Sequence, residues 1–167
     1  MIDYPALETD RMQLRLLELE QAEEVFTHFS DEEVTRFMDI EPCKDIREAE
    51  ELIRYHLDDE GCRWGMYDRT SNQFLGTCGF HYIRRREDEL IAEVGFDLGK
   101  AHWGKGLMRE AIEKLIEFGF HEMGLSTIDA TVEPHNQRSL QLMKRLGFTQ
   151  EEELHEGLVY FYLKKRS

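Results

Sequence analysis

The segment from Gly99 to Met123 constrains the fold more than any other part of this sequence. It opens with a loop that contains Gly104 and Gly106 and continues into a run whose apolar residues recur every three or four positions. That spacing predicts a long amphipathic helix with one face packed against a sheet. The residues of this apolar face are Leu107, Met108, Ala111, Ile112, Leu115, Ile116, Gly119 and Met123.

The remaining segments predict strands and helices around this helix. Strands are predicted over Arg11–Leu17, Cys62–Asp68, Phe74–Ile83, Leu90–Leu98, Ser126–Val132, Phe148–Leu154 and Val159–Lys164. Helices are predicted over Glu18–Phe29, Asp45–Asp58 and Asn136–Leu146. The polar run Arg84–Glu89, with its three consecutive arginines, is expected to be a solvated turn. This order indicates an α/β fold, a mixed sheet with helices on both faces, in a single domain over residues 1–167.

Composition excludes several classes of function. The chain has 35 acidic and 21 basic residues and a net charge of −14, a field that repels phosphate backbones and argues against nucleic acid as a partner. No apolar run approaches the ~20 residues that span a bilayer, so no membrane partner is expected. Because Met1–Asp10 lacks the pattern of a secretory signal, we expect a cytoplasmic protein.

Neither the cysteines nor the histidines indicate a metal site. Cys43, Cys62 and Cys78 are odd in number and lack Cys-x-x-Cys spacing, which predicts small buried side chains rather than disulfides or zinc ligands. His121 begins an H-E-x-x-H pattern, but Leu125 stands in place of the second histidine.

The glycine loop is a candidate phosphate cradle. The first amides of a helix lack intrahelical partners and carry partial positive charge. Gly104 and Gly106 let the backbone approach an anion, and Lys105 adds a cation. Gly99, Gly104 and Lys105 also match the spacing of a Walker A loop, but Gly106 occupies the place of the magnesium-binding Ser or Thr. We therefore reject a nucleoside triphosphatase.

A second motif runs from Asn136 to Phe148. Asn136 is a good N-cap, and Gly147 suits the left-handed position after a helix. These features explain a helix, but they do not explain why Asn136 and Ser139 share its first turn directly after a strand end. Open α/β sheets bind ligands at such ends.

Together, WGKG at Trp103–Gly106 and N-x-x-S-x-x-L-x-x-x-L-G-F at Asn136–Phe148 resemble the GNAT N-acetyltransferase superfamily, and within it the RimJ/RimL-like branch of ribosomal-protein N-acetyltransferases. The resemblance extends over nearly the whole chain. It implies the GNAT fold, a central mixed, mostly antiparallel sheet of about seven strands flanked by about four helices. It also implies transfer of acetyl from acetyl-CoA, the co-substrate, to a primary amine, with no metal.

The resemblance further implies where the coenzyme binds. Its pantetheine arm would lie along the strand that ends at Leu98, and its diphosphate would lie on the glycine loop. The implied binding residues are Phe96, Leu98, Trp103, Gly104, Lys105, Gly106, Leu107 and Met108, with Asn136 and Ser139 nearby. The family's loop usually starts with Gln or Arg where this chain has Ala101, so one side-chain contact to phosphate is missing.

The resemblance implies direct attack of the amine on the thioester, and neither motif contains a cysteine for an acetyl-enzyme. Glu93 is the candidate base, acting directly or through a water, and Glu156 is the competing candidate. Many relatives protonate the departing thiolate with a Tyr at the position of Met143, which cannot donate a proton. Ser139 is therefore assigned this role.

Two questions stay open at this level. The absent Tyr leaves a second interpretation, a non-catalytic module that senses acetyl-CoA. The acceptor amine is either a protein N-terminus or a small molecule, and its specificity is expected to reside in Ser30–Gly61 and in the closing strands. Because many relatives dimerise, a homodimer is one expected state.

Overall fold

One eight-stranded sheet organises the fold. In the computed structural model, which describes residues 2–166, the strands are β1 (Leu7–Glu8), β2 (Met12–Leu16), β3 (Cys62–Asp68), β4 (Phe74–Arg86), β5 (Glu89–Leu98), β6 (Thr127–Val132), β7 (Thr149–Gln150) and β8 (Val159–Lys164). Their order across the sheet is β1-β2-β3-β4-β5-β6-β8-β7. All neighbours pair antiparallel except β5 and β6, which run parallel. The predicted mixed, mostly antiparallel sheet is confirmed, with eight strands rather than about seven.

Within the described residues 2–166, five α-helices flank this sheet. They are α1 (Ala22–Phe29), α2 (Glu32–Thr35), α3 (Ile46–Asp58), α4 (Leu107–Phe118) and α5 (Gln137–Arg145). Short 3-10 turns cover Leu19–Gln21 and Lys100–His102, and α4 ends in a π-helical turn over Gly119–Met123. The helices predicted from periodicity are confirmed. The four-residue α2, too short to show a period, is the additional one.

The two faces of the sheet have separate hydrophobic cores. The larger core packs the apolar face of α4 and Met143 of α5 against residues such as Trp64 and Phe80. The smaller core joins α1 and α3 through Val25, Phe29 and Ile53. The cysteines are free and buried within these two cores, as predicted.

Two of the predicted boundaries are wrong. Arg84–Glu89 is not a turn, because β4 and β5 remain paired as far as Arg86 and Glu89 and the chain reverses only at Glu87 and Asp88. The strand predicted over Phe148–Leu154 is reduced to the two residues of β7. Within residues 2–166, no helix combines the length and apolar character needed to cross a membrane.

Candidate functional site

A gap in the sheet lies between β5 and β6. The two strands pair only from Ile91 to Glu93, opposite Thr127 to Asp129. Beyond Glu93, β5 continues to Leu98 with β4 as its neighbour on one side, while β6 continues with β8 on its far side. The facing edge of β5 therefore offers backbone N–H and C=O groups to a ligand, as an edge strand does. Phe96 and Leu98, two predicted coenzyme-binding residues, lie on this open stretch and are partly buried.

The glycine loop follows directly from the end of β5. Gly104 and Gly106 both have left-handed backbones, with φ of 77° and 76°, and Gly106 is the N-cap of α4. The first helical hydrogen bond runs from the Glu110 N–H to the Gly106 carbonyl, 3.1 Å long. The amides of Leu107 and Met108 precede that bond and remain available. A Cβ at Gly104 would meet nothing within 4 Å, so glycine is needed there for its φ.

The loop is braced by two residues that the sequence analysis did not single out. The Arg11 guanidinium donates to the Lys105 carbonyl at 2.9 Å and to Glu110 Oε1 at 2.7 Å. The Arg11 backbone N–H donates to Glu110 Oε2 at 2.9 Å. Because Arg11 and Glu110 are 99 residues apart, no local spacing in the sequence indicates this contact. The brace holds the loop against the first turn of α4.

Trp103 connects the loop to both borders of the gap. Its Nε1–H donates to the carbonyl of Leu98, the last residue of β5, at 2.9 Å. Its indole lies under the guanidinium of Arg138 in the first turn of α5, with 3.7 Å between Cζ and the ring centroid. Trp103 therefore brings the two sequence motifs into contact beyond the carboxyl ends of β5 and β6.

The first turn of α5 has the predicted cap. The Asn136 side chain accepts a hydrogen bond from the Ser139 N–H at 3.3 Å. Ser139 is partly buried, and its hydroxyl makes no hydrogen bond within residues 2–166. Met143, one turn further, is fully buried in the larger core and has no group that can donate. Of these two positions, Ser139 is the one whose side chain carries a hydrogen-bond donor.

Glu93 lies at the point where the β5–β6 ladder ends. His81 Nε2 is 3.0 Å from Glu93 Oε1, and the Thr131 hydroxyl donates to the same oxygen at 3.2 Å. Burial alone would raise the pKa of Glu93, but the hydrogen bonds of His81 and Thr131 and the charge of Arg84 outweigh it and lower that pKa. Glu93 is consequently an ionised carboxylate at neutral pH.

A β-bulge on β4 places the side chains of His81 and Arg84 beside Glu93. His81 pairs with Glu93 and Arg84 pairs with Ile91, so Tyr82 and Ile83 together face one residue of β5. The extra residue gives His81 and Arg84 the same face of the sheet. The prediction of a solvated turn is wrong at Arg84, because this residue belongs to a bulged strand and faces inward.

Asp129 is the register partner of Glu93 on β6. Arg84 Nη2 donates to both carboxylate oxygens of Asp129 at 2.8 Å, and the Tyr160 hydroxyl donates to one of them at 2.7 Å. Asp129 is almost completely buried, 1% exposed. Of the two neighbouring carboxylates, Asp129 is thus occupied by internal partners, while Glu93 is partly accessible.

A second buried carboxylate, Asp97, lies on the same face of β5 as Glu93. It accepts hydrogen bonds from Arg63 Nη2 at 2.8 Å and from the Thr77 hydroxyl at 2.7 Å, and its other oxygen contacts His28 of α1. Burial would raise the pKa of Asp97, but the charges of His28 and Arg63 and the hydrogen bonds of His28 and Thr77 lower it well below its usual range. The cluster fixes α1 against the strand that borders the gap.

Gly95 leaves space for the side chains around Glu93 and for those around Asp97. A Cβ there would lie 2.6 Å from Arg63 Nη1 and 2.8 Å from His81 Cε1. We call the residues on this side of the sheet, His81, Arg84, Glu93, Asp129, Thr131 and Tyr160 with the Asp97 cluster, the charged face. Within residues 2–166, no group of three His, Cys, Asp or Glu side chains is placed to hold a metal ion.

Glu156, the competing candidate base, has a different environment. It is exposed and shares a two-residue turn with Gly157 inside the His155–Leu158 bridge. Both turn residues have positive φ, 51° and 83°, as such hairpin turns require.

Comparison with known proteins gives one consistent result. Residues 11–149 match the family model described as an acetyltransferase (GNAT) domain. An uncharacterized N-acetyltransferase, p20, of Bacillus licheniformis is 38% identical over 164 residues, covering 96% of this chain and 88% of that protein. The solved structure of RimL, a ribosomal L7/L12 α-N-protein acetyltransferase in complex with coenzyme A, superposes with a TM-score of 0.82 at 14% identity, covering 96% of this chain and 98% of that one. A spermidine N-acetyltransferase from Vibrio cholerae, solved with CoA and spermine, gives a TM-score of 0.80 at 22% identity, covering 92% and 95%.

Proposed function

We propose that this chain, which belongs to the GNAT acetyltransferase family and is an N-acetyltransferase, takes the acetyl group from acetyl-CoA and passes it by direct attack to a primary amine of a protein N-terminus or a small molecule. One observation carries the proposal. The open edge of β5 leads into a glycine loop and then into the N-terminus of α4, where the amides of Leu107 and Met108 precede the first helical hydrogen bond. The alternative of a non-catalytic sensor is set aside, because the family and its p20 relative indicate an enzyme.

The residues at the gap fit acetyl-CoA, which would supply an acetyl thioester when bound. The open backbone of β5 at Phe96 and Leu98 suits an extended ligand that contains amides. The amides of the loop suit a diphosphate, since they lie at a helix N-terminus. The proposed binding residues are Phe96, Leu98, Trp103, Gly104, Lys105, Gly106, Leu107 and Met108, together with Asn136 and Ser139.

Glu93 is proposed as the base in preference to Glu156. It is partly buried at the end of the β5–β6 ladder and fixed by His81 and Thr131, whereas Glu156 is exposed in a turn. Being ionised at neutral pH, Glu93 can accept the proton of the attacking amine, directly or through a water. An α-amine, with a pKa of about 8, requires less assistance than a lysine amine at about 10.4.

Ser139 is proposed as the donor to the departing thiolate. Among residues 2–166 its hydroxyl has no hydrogen-bond partner, and it lies in the first turn of α5, beyond the end of β6. A thiol with a pKa of about 8.5 is a tolerable leaving group, so a hydroxyl donor suffices. We also propose that residues 1–167 act as a single domain, which the continuous sheet from β1 to β7 supports.

The proposal is tested by incubating the protein with acetyl-CoA and a panel of acceptors while trapping free thiol. The panel contains peptides with different N-terminal residues, polyamines and aminoglycoside-type amines. We expect thiol release that depends on one acceptor class, with the acetylated product identified by mass. Binding of acetyl-CoA without turnover on any acceptor would contradict direct transfer to an amine.

A further inference from the structure

We propose that Arg138 binds a phosphate of the coenzyme, and that its guanidinium leaves the indole of Trp103 to do so. The inference rests on the proposed use of acetyl-CoA, but it concerns a side chain that neither motif explains. Asn136 and Ser139 account for the capped turn of α5, whereas Arg138 between them has no structural role in that cap.

The contact between Arg138 and Trp103 connects the two sides of the gap. Trp103 is fixed to the end of β5 through Leu98, and it immediately precedes Gly104 in the loop. Arg138 belongs to the helix that follows β6. The guanidinium therefore reaches across from the β6 side to Trp103, the residue before Gly104, close to the amides proposed to hold the diphosphate.

Arg138 is one of few cationic side chains near the loop that are not paired with a carboxylate of the described residues. Lys105 and Arg138 make no ion pair within residues 2–166, and Ala101 has no polar side chain. The other cations around the loop are held by carboxylates, Arg11 by Glu110, Lys100 by Glu33 and Arg109 by Glu113. In a chain with a net charge of −14, a phosphate ligand needs such local cations.

The contact of Arg138 with the Trp103 indole and its proposed contact with a phosphate differ in strength. Arg138 is exposed, and an exposed contact between a guanidinium and an aromatic face is weak. A guanidinium bound to a phosphate forms charge-assisted hydrogen bonds, often two in parallel, which are stronger. Exchange of the indole for a phosphate is thus favourable, and the indole holds the side chain at the site until the ligand arrives.

Intrinsic fluorescence and affinity together test this inference. The chain has two tryptophans, and Trp64 is fully buried in the larger core with its Nε1–H bonded to the Pro5 carbonyl. A change in emission on titration with CoA therefore reports on Trp103, and Trp103→Phe should abolish it. Arg138→Gln should lower the affinity for CoA about tenfold, as expected for loss of a charge-assisted contact at an exposed site, and should remove most of the emission change.

Arg145→Gln is the matched control, because it removes the same charge from an exposed position of the same helix. Titration with CoA, 3′-dephospho-CoA and pantetheine identifies the phosphate. A loss confined to CoA indicates the 3′-phosphate, and a loss shared with 3′-dephospho-CoA indicates the diphosphate. Equal affinity of Arg138→Gln and Arg145→Gln for CoA overturns the inference, as does an equal loss of affinity for pantetheine. A wild-type chain that binds none of the three would overturn the proposed function itself.

Discussion

The two sides of the candidate site differ in the groups that form them: backbone groups on one side and charged or polar side chains on the other. The proposed coenzyme side is formed mainly by backbone groups from neighbouring parts of the sequence, the open edge of β5 and the amides at the start of α4. The charged face consists of side chains that come from β3, β4, β5, β6, β8 and α1. One side depends on backbone conformation, and the other depends on long-range side-chain contacts.

This difference predicts different responses to substitution. Changes on the coenzyme side should alter coenzyme affinity and leave the charged face intact. Changes on the charged face should alter either stability or the rate of transfer, according to whether the carboxylate concerned is occupied or accessible. Asp97 and Asp129 are occupied by internal partners, so changes there should alter stability. Glu93 is partly accessible, so a change there should alter the rate of transfer.

Asp97→Asn should give the largest effect, on stability. Breaking a buried ion pair costs about 3–5 kcal/mol of unfolding free energy, because Arg63 would keep a buried charge without its partner. The pKa of Asp97 is lowered in the folded chain, so its contribution is present above the unfolded pKa of about 3.9 and is lost as the pH falls below it. Urea denaturation should therefore separate wild type and variant at pH 7 more than at pH 3.

The matched control for Asp97 is the exposed pair of Glu60 and Arg85. Glu60→Gln should change the unfolding free energy little, because exposed ion pairs contribute little. If Asp97→Asn were as stable as Glu60→Gln at pH 7, the buried cluster would not hold α1 to β5.

Glu93→Gln should have the largest effect on catalysis. Loss of a general base lowers kcat on the order of 100-fold, while the affinity for CoA should not change, because Glu93 lies on the charged face. Steady-state kinetics with the preferred acceptor, together with a CoA titration, measure both quantities. Glu156→Gln serves as the control, and a larger loss of kcat in that variant than in Glu93→Gln would exchange their roles.

The coenzyme side was the more predictable from sequence. Helical periodicity located α4 and α5, and the glycines of the loop and the cap at Asn136 are local signals that depend on few neighbours. Even there, the brace between Arg11 and Glu110 was not predictable, because it joins two residues that are 99 positions apart in the sequence.

The charged face was largely not predictable. Glu93 was identified through the family resemblance, but His81 and Arg84 share its face only because of the bulge at Tyr82 and Ile83, which no turn or glycine signal marks. His28, Arg63 and Asp97 were missed because each looks like an ordinary polar residue until the fold buries the three together.

Gly106→Ala tests whether the coenzyme side depends on backbone conformation. A residue with a Cβ pays about 1–2 kcal/mol in the left-handed region, so the loop should relax and the affinity for CoA should fall about tenfold. Gly99→Ala is the control, since Gly99 has a φ of −61° and a Cβ there would make ordinary contacts of 3.4 Å. Equal affinities of the two variants for CoA would show that the left-handed turn is not required for binding.

His81→Gln should produce the smallest effect and the most specific one. His81 is a positioning residue that acts through Glu93, and loss of one hydrogen bond of about 1 kcal/mol should lower kcat roughly fivefold without changing the KM for acetyl-CoA. Because His81 helps to lower the pKa of Glu93, its removal should raise that pKa, and the acidic limb of the kcat/KM profile should move to higher pH. His121→Gln, an exposed histidine of the π-helical turn after α4, should leave kcat and the limb unchanged. If kcat fell in His81→Gln while the acidic limb stayed in place, His81 would support the fold of the bulge rather than the charge of Glu93.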